Sequence, residues 1–289
     1  MRGEVKKVGL RLALERVSLT YQAGTPFAAP ALRDISLTVE PGERLGIAGP
    51  VGSGKSTLLA VLAGVEEPGS GRVLHDGSPV TPKKPSPPGS VGLAFQSPEN
   101  CLFARTVADD VAFSPKHQGL SGEGLAGRVN AAMSAAGLDP GQFGPRSPFT
   151  LSAGEQRRAA LAGVMAAAPR ALLLDEPTAY LDPASRRGLI ERLVALNRDT
   201  GATMVVIGHD MQELAAFATR LVIVDGGSVV AAGATRRVLS DAELLEAHGL
   251  EPPGTVVLSQ LLADASGAAV PAALSETEAV SLLRNLIED

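Results

Sequence analysis

The stretch "GPVGSGKST", Gly49 to Thr57, decides the fold of this chain. It follows the apolar run "RLGIA" and precedes "LLAVLAG", so it lies between a predicted buried strand and a predicted helix. Gly49, Gly54, Lys55 and Ser56 match the pattern G-x-x-x-x-G-K-[ST]. Glycines allow successive backbone N–H groups to point at phosphate oxygens, and the helix N-terminus that follows favours an anion. The stretch therefore predicts a loop that binds the phosphates of a nucleotide, here called the P-loop.

Each position of the P-loop has an expected role. Lys55 is expected to reach the β- and γ-phosphates of ATP, and the Ser56 hydroxyl is expected to bind Mg²⁺. The alternative is a glycine turn without a ligand, which leaves the strand before the loop and the helix after it unexplained. A dinucleotide loop does not fit, since the G-x-G-x-x-G pattern begun by Gly52 and Gly54 lacks its third glycine. The residues expected around ATP are Gly49, Pro50, Val51, Gly52, Ser53, Gly54, Lys55, Ser56 and Thr57.

A second motif, "ALLLDEP", supplies two carboxylates. Its apolar strand ends at Asp175, which is expected to hold Mg²⁺, usually through water. Glu176 follows at once, near the γ-phosphate, where a carboxylate can polarise the attacking water. Taken alone, the motif is better explained as two solvated acids at a strand end. Paired with the P-loop, it predicts a site of ATP hydrolysis.

Composition and charge exclude several classes of protein. The 289 residues carry a net charge of -5, and basic residues occur in pairs but never in a longer block, which argues against nucleic acid as the main partner. The only cysteine, Cys101, leaves no disulfide framework and no cysteine-based zinc site within the chain. The N-terminus lacks the apolar segment of a signal peptide, and no apolar run approaches the roughly 18 residues of a membrane helix. We therefore expect a cytoplasmic chain without a transmembrane segment.

Alternating apolar runs and helical patterns predict an α/β fold. The runs "RLGIAG", "VGLAF", "ALLLD", "ATMVVIG" and "LVIVD" suit strands buried on both faces of a parallel sheet, and helical stretches separate them. Two earlier segments, "LRLALERVSLTY" and "DISLTVE", alternate apolar and polar residues and predict an antiparallel β subdomain with one solvated face. The proline-rich segment 79–90 predicts a surface loop.

After about Ser240 the core pattern stops, and the remaining segments resemble short helices. Ser275 and Glu278 form an S-x-x-E capping box at the start of the last one. The predicted units are an ATPase domain over residues 1–239 and a small helical C-terminal appendage over 240–289, which is a candidate dimerisation element.

The segment around the second motif carries a family resemblance. "LSAGEQRRAALAGVMAAAPRALLLDEPTAYLDP" resembles the signature and Mg²⁺-binding region of ATP-binding cassette (ABC) ATPases. "LSAGE" stands where that family has LSGGQ, and "AYLD" stands at its D-loop, the turn that follows the hydrolysis motif. The resemblance implies a P-loop core of ABC type, with an α-helical subdomain at about 97–168 that carries the signature.

Three further residues match family motifs in the family's order. Gln96 matches the Q-loop, His209 the switch histidine, and Tyr21 the aromatic residue that stacks on adenine. The resemblance implies that Gln96 ligates Mg²⁺ and senses the γ-phosphate, and that His209 orients the attacking water. The expected catalytic residues are thus Lys55, Gln96, Glu176 and His209, and the expected Mg²⁺ ligands are Ser56, Gln96 and Asp175.

The signature also implies a second subunit. Ser152 and the Gly154 amide begin a helix, so they form an anion site. In ABC ATPases this site, together with the D-loop and here Asp182, meets the ATP of the opposite cassette. Two cassettes face head to tail, close on two ATP molecules and open after hydrolysis. The resemblance therefore implies a partner cassette, either identical or different.

The segment "FQSPENCLFARTVADDVAFSPKH" resembles the ATPases of energy-coupling factor transporters, which import vitamins and cobalt or nickel ions. In that group the segment lines a groove for arginine-bearing helices of a transmembrane subunit, and a separate membrane protein binds the solute. Asp109 and Asp110 are candidates to meet those arginines. Their alternative role is local, because Thr106 and Asp109 form a T-x-x-D helix cap. The implied location is the cytoplasmic face of the cell membrane.

Several departures from the family pattern are present. Ser97, Cys101 and Val51 replace usual residues, and Ala153 and Tyr180 replace glycines of the signature and the D-loop. The last two leave open a heterodimer with two unequal ATP sites. The alternatives to an energy-coupling factor importer are another ABC importer or exporter, a soluble ABC ATPase and a non-hydrolysing structural partner.

Overall fold

The computed structural model describes residues 9–267 and 270–288. Residues 1–8 of the predicted unit 1–239, and residues 268, 269 and 289 of the unit 240–289, lie outside the described residues. The strands are β1 Leu12–Tyr21, β2 Ala29–Val39, β3 Arg44–Ala48, β4 Ser70–His75, β5 Ser78–Val80, β6 Val91–Ala94, β7 Ala171–Asp175, β8 Thr203–Ile207, β9 Arg220–Asp225 and β10 Ser228–Ala234. The helices are α1 Lys55–Leu62, α2 Val107–His117, α3 Gly122–Ala135, α4 Pro140–Phe143, α5 Ala153–Ala166, α6 Pro183–Thr200, α7 Met211–Phe217, α8 Thr235–Leu239, α9 Ala242–Ala247, α10 Gly254–Ser266 and α11 Glu276–Glu288.

The central sheet has the strand order β10-β9-β3-β8-β7-β6. Neighbouring strands from β9 to β6 run parallel, and β10 pairs antiparallel with β9 at the edge. Every residue of β7 and β8 is buried, as continuous apolar runs require in a sheet covered on both faces. The five predicted parallel strands are therefore confirmed, except that β6 lies at the edge of the sheet and has only alternate residues buried. Their carboxyl ends meet at one edge of the sheet, which is where ligands bind in open α/β sheets.

The second sheet is antiparallel, with the order β2-β1-β4-β5. Its β1–β2 hairpin confirms the two segments predicted from alternation. The segment 79–90 is a loop as predicted, except that its start, up to Val80, belongs to β5. Leu12 and Leu14 of β1 form one buried cluster with Leu58 of α1 and Ile47 of β3. Helix α1 therefore packs against both sheets, which fixes the direction of the loop before it.

Helices α2 to α5 form the α-helical subdomain between β6 and β7. Helices α2 and α3 both pack on α5, which begins at the signature. Met133 of α3 and Leu161 of α5 belong to one buried cluster with Leu174 of β7, so the subdomain shares its core with the central sheet. The boundaries 97–168, 1–239 and 240–289 stay predictions.

The C-terminal appendage contains helices α9, α10 and α11, as expected. Leu245 and Leu250 belong to the same buried cluster as the central sheet. Ser275 Oγ accepts a hydrogen bond from the backbone N–H of Glu278 at 3.2 Å, as the capping box predicts. The Glu278 carboxylate accepts from the N–H of Leu274 at 2.9 Å, one residue earlier than the box would place it. Within residues 9–267 and 270–288, no helix combines the length and the apolar character of a membrane span.

Candidate nucleotide-binding and catalytic site

The P-loop connects the end of β3 to the start of α1, where sterics require glycine. Gly49 and Gly54 have φ angles of 151° and 101°. A Cβ on Gly49 would lie 2.0 Å from the carbonyl O of Val224, and one on Gly54 would lie 2.4 Å from that of Ala31. Gly54 is also the N-cap of α1 and offers no side-chain cap to the first N–H groups of the helix. Those groups are therefore suited to bind phosphate oxygens.

Lys55 is buried beneath the P-loop with 6% of its surface exposed. Its Nζ donates to the carbonyl oxygens of Gly49 at 2.8 Å and Pro50 at 2.7 Å. Burial lowers the pKa of Lys55, and the carboxylates of Glu176 and Asp175 act in the opposite direction. The ammonium group therefore lies inside the loop, beside the two acids of the second motif.

Asp175 and Ser56 form the arrangement expected of Mg²⁺ ligands. Asp175 is the last residue of β7 and is 5% exposed. Burial raises the pKa of Asp175, whereas a hydrogen bond from the Ser56 hydroxyl lowers it. Among the described residues, no cluster of three or more His, Cys, Asp or Glu side chains could hold a metal ion. One carboxylate beside one hydroxyl nevertheless suits Mg²⁺, which keeps waters and shares phosphate oxygens instead of entering an all-protein cage.

Glu176 and His209 meet at the carboxyl edge of the central sheet. His209 Nε2 lies 2.5 Å from Glu176 Oε1 in a hydrogen bond between the two side chains. Glu176 follows β7 and His209 follows β8, and these strands are parallel neighbours with Asp175 opposite Ile207. Glu176 has a φ of 48°, a left-handed conformation that is uncommon for a residue other than glycine. The fold thus brings together two predicted catalytic residues that are 33 positions apart.

Gln96 and Tyr21 are two further residues that the sequence predicts at the nucleotide site. Gln96 follows β6 and is exposed. Tyr21 ends β1 and is 41% exposed, and its hydroxyl lies 3.3 Å from Thr57 Oγ1 on α1. Its ring is therefore next to the P-loop and accessible, as a base-stacking residue must be. The stacking role itself stays a prediction.

The signature begins helix α5 with a complete capping box. The N–H and hydroxyl of Ser152 both donate to Glu155 Oε2, at 2.8 and 2.9 Å, and the Glu155 N–H donates to Ser152 Oγ at 3.4 Å. These hydrogen bonds lower the pKa of Glu155. A Cβ on Gly154 would lie 3.1 Å from Leu181 Cδ2, so the signature packs closely on the D-loop. The Ser152 hydroxyl predicted to meet the opposite ATP is thus engaged by Glu155.

The D-loop has a structural role of its own. Asp182 is the N-cap of α6, and its Oδ1 accepts from the N–H groups of Ala184 and Ser185 at 3.1 and 3.0 Å. Tyr180 has a φ of 64° and is 78% exposed. Because left-handed backbone favours glycine, this conformation explains why a glycine is usual at this position.

Arg157 belongs to no motif of the sequence, where it is half of the basic pair Arg157–Arg158. Its side chain is only 1% exposed. One of its guanidinium nitrogens donates to the carbonyl O of Glu176 at 2.5 Å, and another lies 3.7 Å from Glu99 Oε2. Arg157 therefore anchors the backbone of the predicted catalytic glutamate to the helical subdomain. A charged residue on the buried side of α5 was the available signal.

The two candidate groove acids have different environments. Asp110 is 8% exposed, and its carboxylate accepts from the N–H groups of Phe103 and Ala104 at 3.1 to 3.2 Å. Its carboxylate therefore stabilises the loop before α2 and is not presented at the surface. Asp109 is exposed, and its N–H donates to Thr106 Oγ1 at 3.1 Å, which confirms the local cap.

A groove of about 290 Å³ lies between β6, α2 and α5. Phe95, Phe103 and Phe113 line it, and they are 50%, 61% and 46% exposed. The rings of Phe103 and Phe113 pack edge to face, with centroids 5.1 Å apart. The groove therefore presents exposed aromatic surface next to Gln96, and surface of this kind marks interaction sites.

Comparison with known proteins agrees with this geometry. A model of the ABC transporter family matches residues 32–179. The energy-coupling factor transporter ATP-binding protein EcfA2 of Symbiobacterium thermophilum is 42% identical over 279 residues, or 96% of each chain. The structure of cbiO1 from Clostridium perfringens, part of the ABC transporter complex cbiONQ, has a TM-score of 0.70 and 30% identity over 82% of this chain and 93% of that chain. The ATP-binding cassette MJ0796, a dimer in a post-hydrolysis state bound to ADP and Pi, has a TM-score of 0.70 and 29% identity over 78% of this chain and 99% of that chain.

Proposed function

This chain belongs to the ABC transporter family, and we propose that it is the ATP-hydrolysing subunit of an importer of the energy-coupling factor type. The solute would be a vitamin or a transition-metal ion. The relative from Symbiobacterium thermophilum is named as an ATP-binding protein of such a transporter, and its similarity covers 96% of this chain. The observation that carries the proposal is the aromatic groove beside Gln96, because it offers a membrane subunit direct access to a residue expected to sense ATP.

In the proposed complex, ATP would contact two parts of the chain, the P-loop and Tyr21. The first N–H groups of α1 and the Lys55 ammonium would hold the phosphates, while the exposed Tyr21 ring would stack on adenine. Ser56, Gln96 and Asp175 would hold Mg²⁺, which neutralises phosphate charge when it is bound.

Hydrolysis would depend on Glu176 and His209. In the proposed reaction Glu176 takes the proton of the attacking water, and His209 contacts the γ-phosphate and keeps Glu176 in place. The 2.5 Å contact between the two side chains supports this pairing. Both side chains are partly exposed, at 20% and 44%, so a nucleotide and water can reach them.

The complete site would need a second cassette. Ser152, Gly154 and Asp182 lie on the signature and the D-loop, and in the proposed dimer they face the ATP held by the partner's P-loop. The dimeric state of the MJ0796 cassette supports this arrangement. This chain's half of that site differs from the family pattern in two ways: the Ser152 hydroxyl donates to the Glu155 carboxylate, and Tyr180 is exposed in the D-loop. These differences favour a partner cassette of different sequence.

The membrane partners would bind on the groove side. Phe95, Phe103 and Phe113 would receive an apolar helix face, and Asp109 at the exposed start of α2 would meet an arginine of the transmembrane subunit. Asp110 would act indirectly by holding the loop that carries Phe103. The chain would thus be attached to the cytoplasmic face of the membrane, and a separate membrane protein would bind the solute.

The proposal is tested by purification from native membranes with a tagged full-length chain. We expect a polytopic membrane subunit, a solute-binding membrane protein and a second cassette to copurify. Phe103→Glu should abolish recovery of the membrane subunits, since it places a charge in the groove. Phe27→Glu is the matched control, because Phe27 is also exposed, at 79%, but lies in the β1–β2 turn. Recovery of a soluble solute-binding protein, or of no membrane protein, would contradict the energy-coupling factor assignment.

A further inference from the structure

Two loops leave the central sheet where the catalytic pair forms. Strands β7 and β8 stay in register up to Asp175 and Ile207, and the N–H of Glu176 donates to the carbonyl O of Ile207 at 3.1 Å. Beyond this point the two segments lead into α6 and α7. Side-chain contacts that join the two loops can therefore influence the distance between Glu176 and His209.

Glu213, in the first turn of α7, makes a second link between these loops. The hydroxyl of Thr178 donates to Glu213 Oε2 at 2.5 Å, and Arg186 Nη1 lies 3.7 Å from Glu213 Oε1. Arg186 Nε donates in turn to the carbonyl O of Leu181 in the D-loop at 2.8 Å. One carboxylate thus joins the loop after Glu176, the D-loop and the helix that follows His209.

The side chains of Thr178 and Glu213 are largely buried. Thr178 is 8% exposed and the Glu213 side chain is 18% exposed. Burial raises the pKa of Glu213, and the hydrogen bond from Thr178 partly offsets this. A hydrogen bond to a carboxylate is stronger here than at the surface, and its loss leaves a buried polar group without a partner. The link therefore constrains the loops in a way that an exposed ion pair would not.

The neighbouring residue on the same helix faces a different element. The side-chain NH₂ of Gln212 donates to the carbonyl O of Leu274 at 2.8 Å, and Gln212 Oε1 accepts from the Thr255 hydroxyl at 3.3 Å. These contacts join α7 to the C-terminal appendage and not to the loop after Glu176. Substitution of Gln212 therefore removes contacts between α7 and the appendage, whereas substitution of Glu213 removes the contact between α7 and the loop after Glu176.

We propose that Glu213 is a positioning residue for ATP hydrolysis, which holds the loop of Glu176 at the distance from α7 at which Glu176 meets His209. This inference rests on the proposed function, in which Glu176 and His209 are catalytic. The P-loop connects β3 to α1, whereas the Thr178–Glu213 link joins the loop after β7 to α7. Loss of the link is therefore expected to slow hydrolysis without weakening ATP binding, and a misplacement of about 1 Å can cost about 100-fold in rate.

The test compares Glu213→Ala, Thr178→Val, the double variant and the control Gln212→Ala in the full-length chain. Glu213→Gln is added because its amide oxygen can still accept from Thr178. The hydrolysis rate is measured at saturating ATP in the purified complex, and ATP affinity is measured with a fluorescent ATP analogue. The ¹³C–¹H signal of the His209 ring, identified by its loss in His209→Ala, reports the catalytic pair independently of turnover. The chain has only 4 histidines, so this signal can be assigned.

We expect Glu213→Ala to lower the rate by about 10- to 100-fold, with ATP affinity unchanged and the His209 signal shifted. Thr178→Val should act in the same direction, the double variant should lose no more than Glu213→Ala alone, and Glu213→Gln should recover part of the rate. Gln212→Ala should retain the wild-type rate and signal. An unshifted His209 signal with a wild-type rate in Glu213→Ala, or an equal loss in Gln212→Ala, would overturn the inference. Glu176→Gln in the same assay tests the proposed function separately from the role of Glu213. A wild-type hydrolysis rate in Glu176→Gln would overturn the proposed catalytic pair itself.

Discussion

Two glycines of the P-loop allow a direct test of how closely this loop is packed. Gly52 and Gly54 both have positive φ angles, 78° and 101°. A Cβ on Gly54 would lie 2.4 Å from the carbonyl O of Ala31, whereas a Cβ on Gly52 would have no neighbour within 4 Å. The two positions thus share a backbone conformation that strains any residue other than glycine, and they differ in the space around them.

We expect Gly54→Ala to destabilise the chain about twice as much as Gly52→Ala. A positive φ costs a non-glycine residue about 1–2 kcal/mol in both variants. In Gly54→Ala the loop or Ala31 must also move from 2.4 Å to the 3.4 Å of ordinary contact, and overpacking of this kind costs about 1–3 kcal/mol more. The midpoints of these ranges are about 3.5 kcal/mol for Gly54→Ala and about 1.5 kcal/mol for Gly52→Ala. At about 2–4 °C per kcal/mol, the melting temperature should fall by roughly 7–14 °C in Gly54→Ala and by roughly 3–6 °C in Gly52→Ala.

The assay is thermal unfolding followed by circular dichroism without nucleotide, because the chain has no tryptophan to report unfolding by fluorescence. ATP affinity is measured in parallel by calorimetry. The same shift moves the start of α1, so Gly54→Ala should also bind ATP at least about tenfold more weakly, since positioned N–H groups lose their geometry. Equal melting temperatures for the two variants would refute this account of the loop.

Three further predictions concern the catalytic site and the appendage. We expect ATP at 100 times its Kd to stabilise the wild type by about 2.7 kcal/mol. Lys55→Ala should lose this stabilisation because the ammonium expected to hold the phosphates is gone, and an unchanged thermal shift would contradict the P-loop assignment. Glu176→Gln should bind ATP and accumulate closed dimers in size-exclusion chromatography, whereas monomer alone in ATP would count against the role of Glu176. Hydrogen bonds from Arg236 and from the N–H of Leu274 lower the pKa of Glu278, so they stabilise the fold above the ordinary value of 4.5 and this stabilisation is lost as the pH falls through the lowered pKa. Glu278→Gln should therefore lower the melting temperature at pH 7, and a difference of the same size at pH 3 would contradict this linkage.

The sequence predicted the features that depend on short stretches of chain. The P-loop was evident because its glycines, lysine and serine have fixed spacing, and the buried strands were evident because they are continuous apolar runs. The short strands β4, β5 and β10 were not identified, since they have exposed residues and no strict apolar alternation. Their places come from pairing with neighbouring strands, which is a property of the assembled sheets.

The contacts between distant segments were decided by the tertiary structure. Sequence motifs named Glu176 and His209, but the order of strands in the sheet brings them to 2.5 Å. The adjacent acids Asp109 and Asp110 are chemically equivalent in the sequence, and the direction of α2 buries one and exposes the other. Arg157 and Glu213 belong to no sequence motif, and packing leaves their side chains only 1% and 18% exposed. Local patterns determine which residues form each helix or strand. The burial of a side chain and its hydrogen-bond partners depend on how these elements pack, because its surroundings are made by residues far away in the chain.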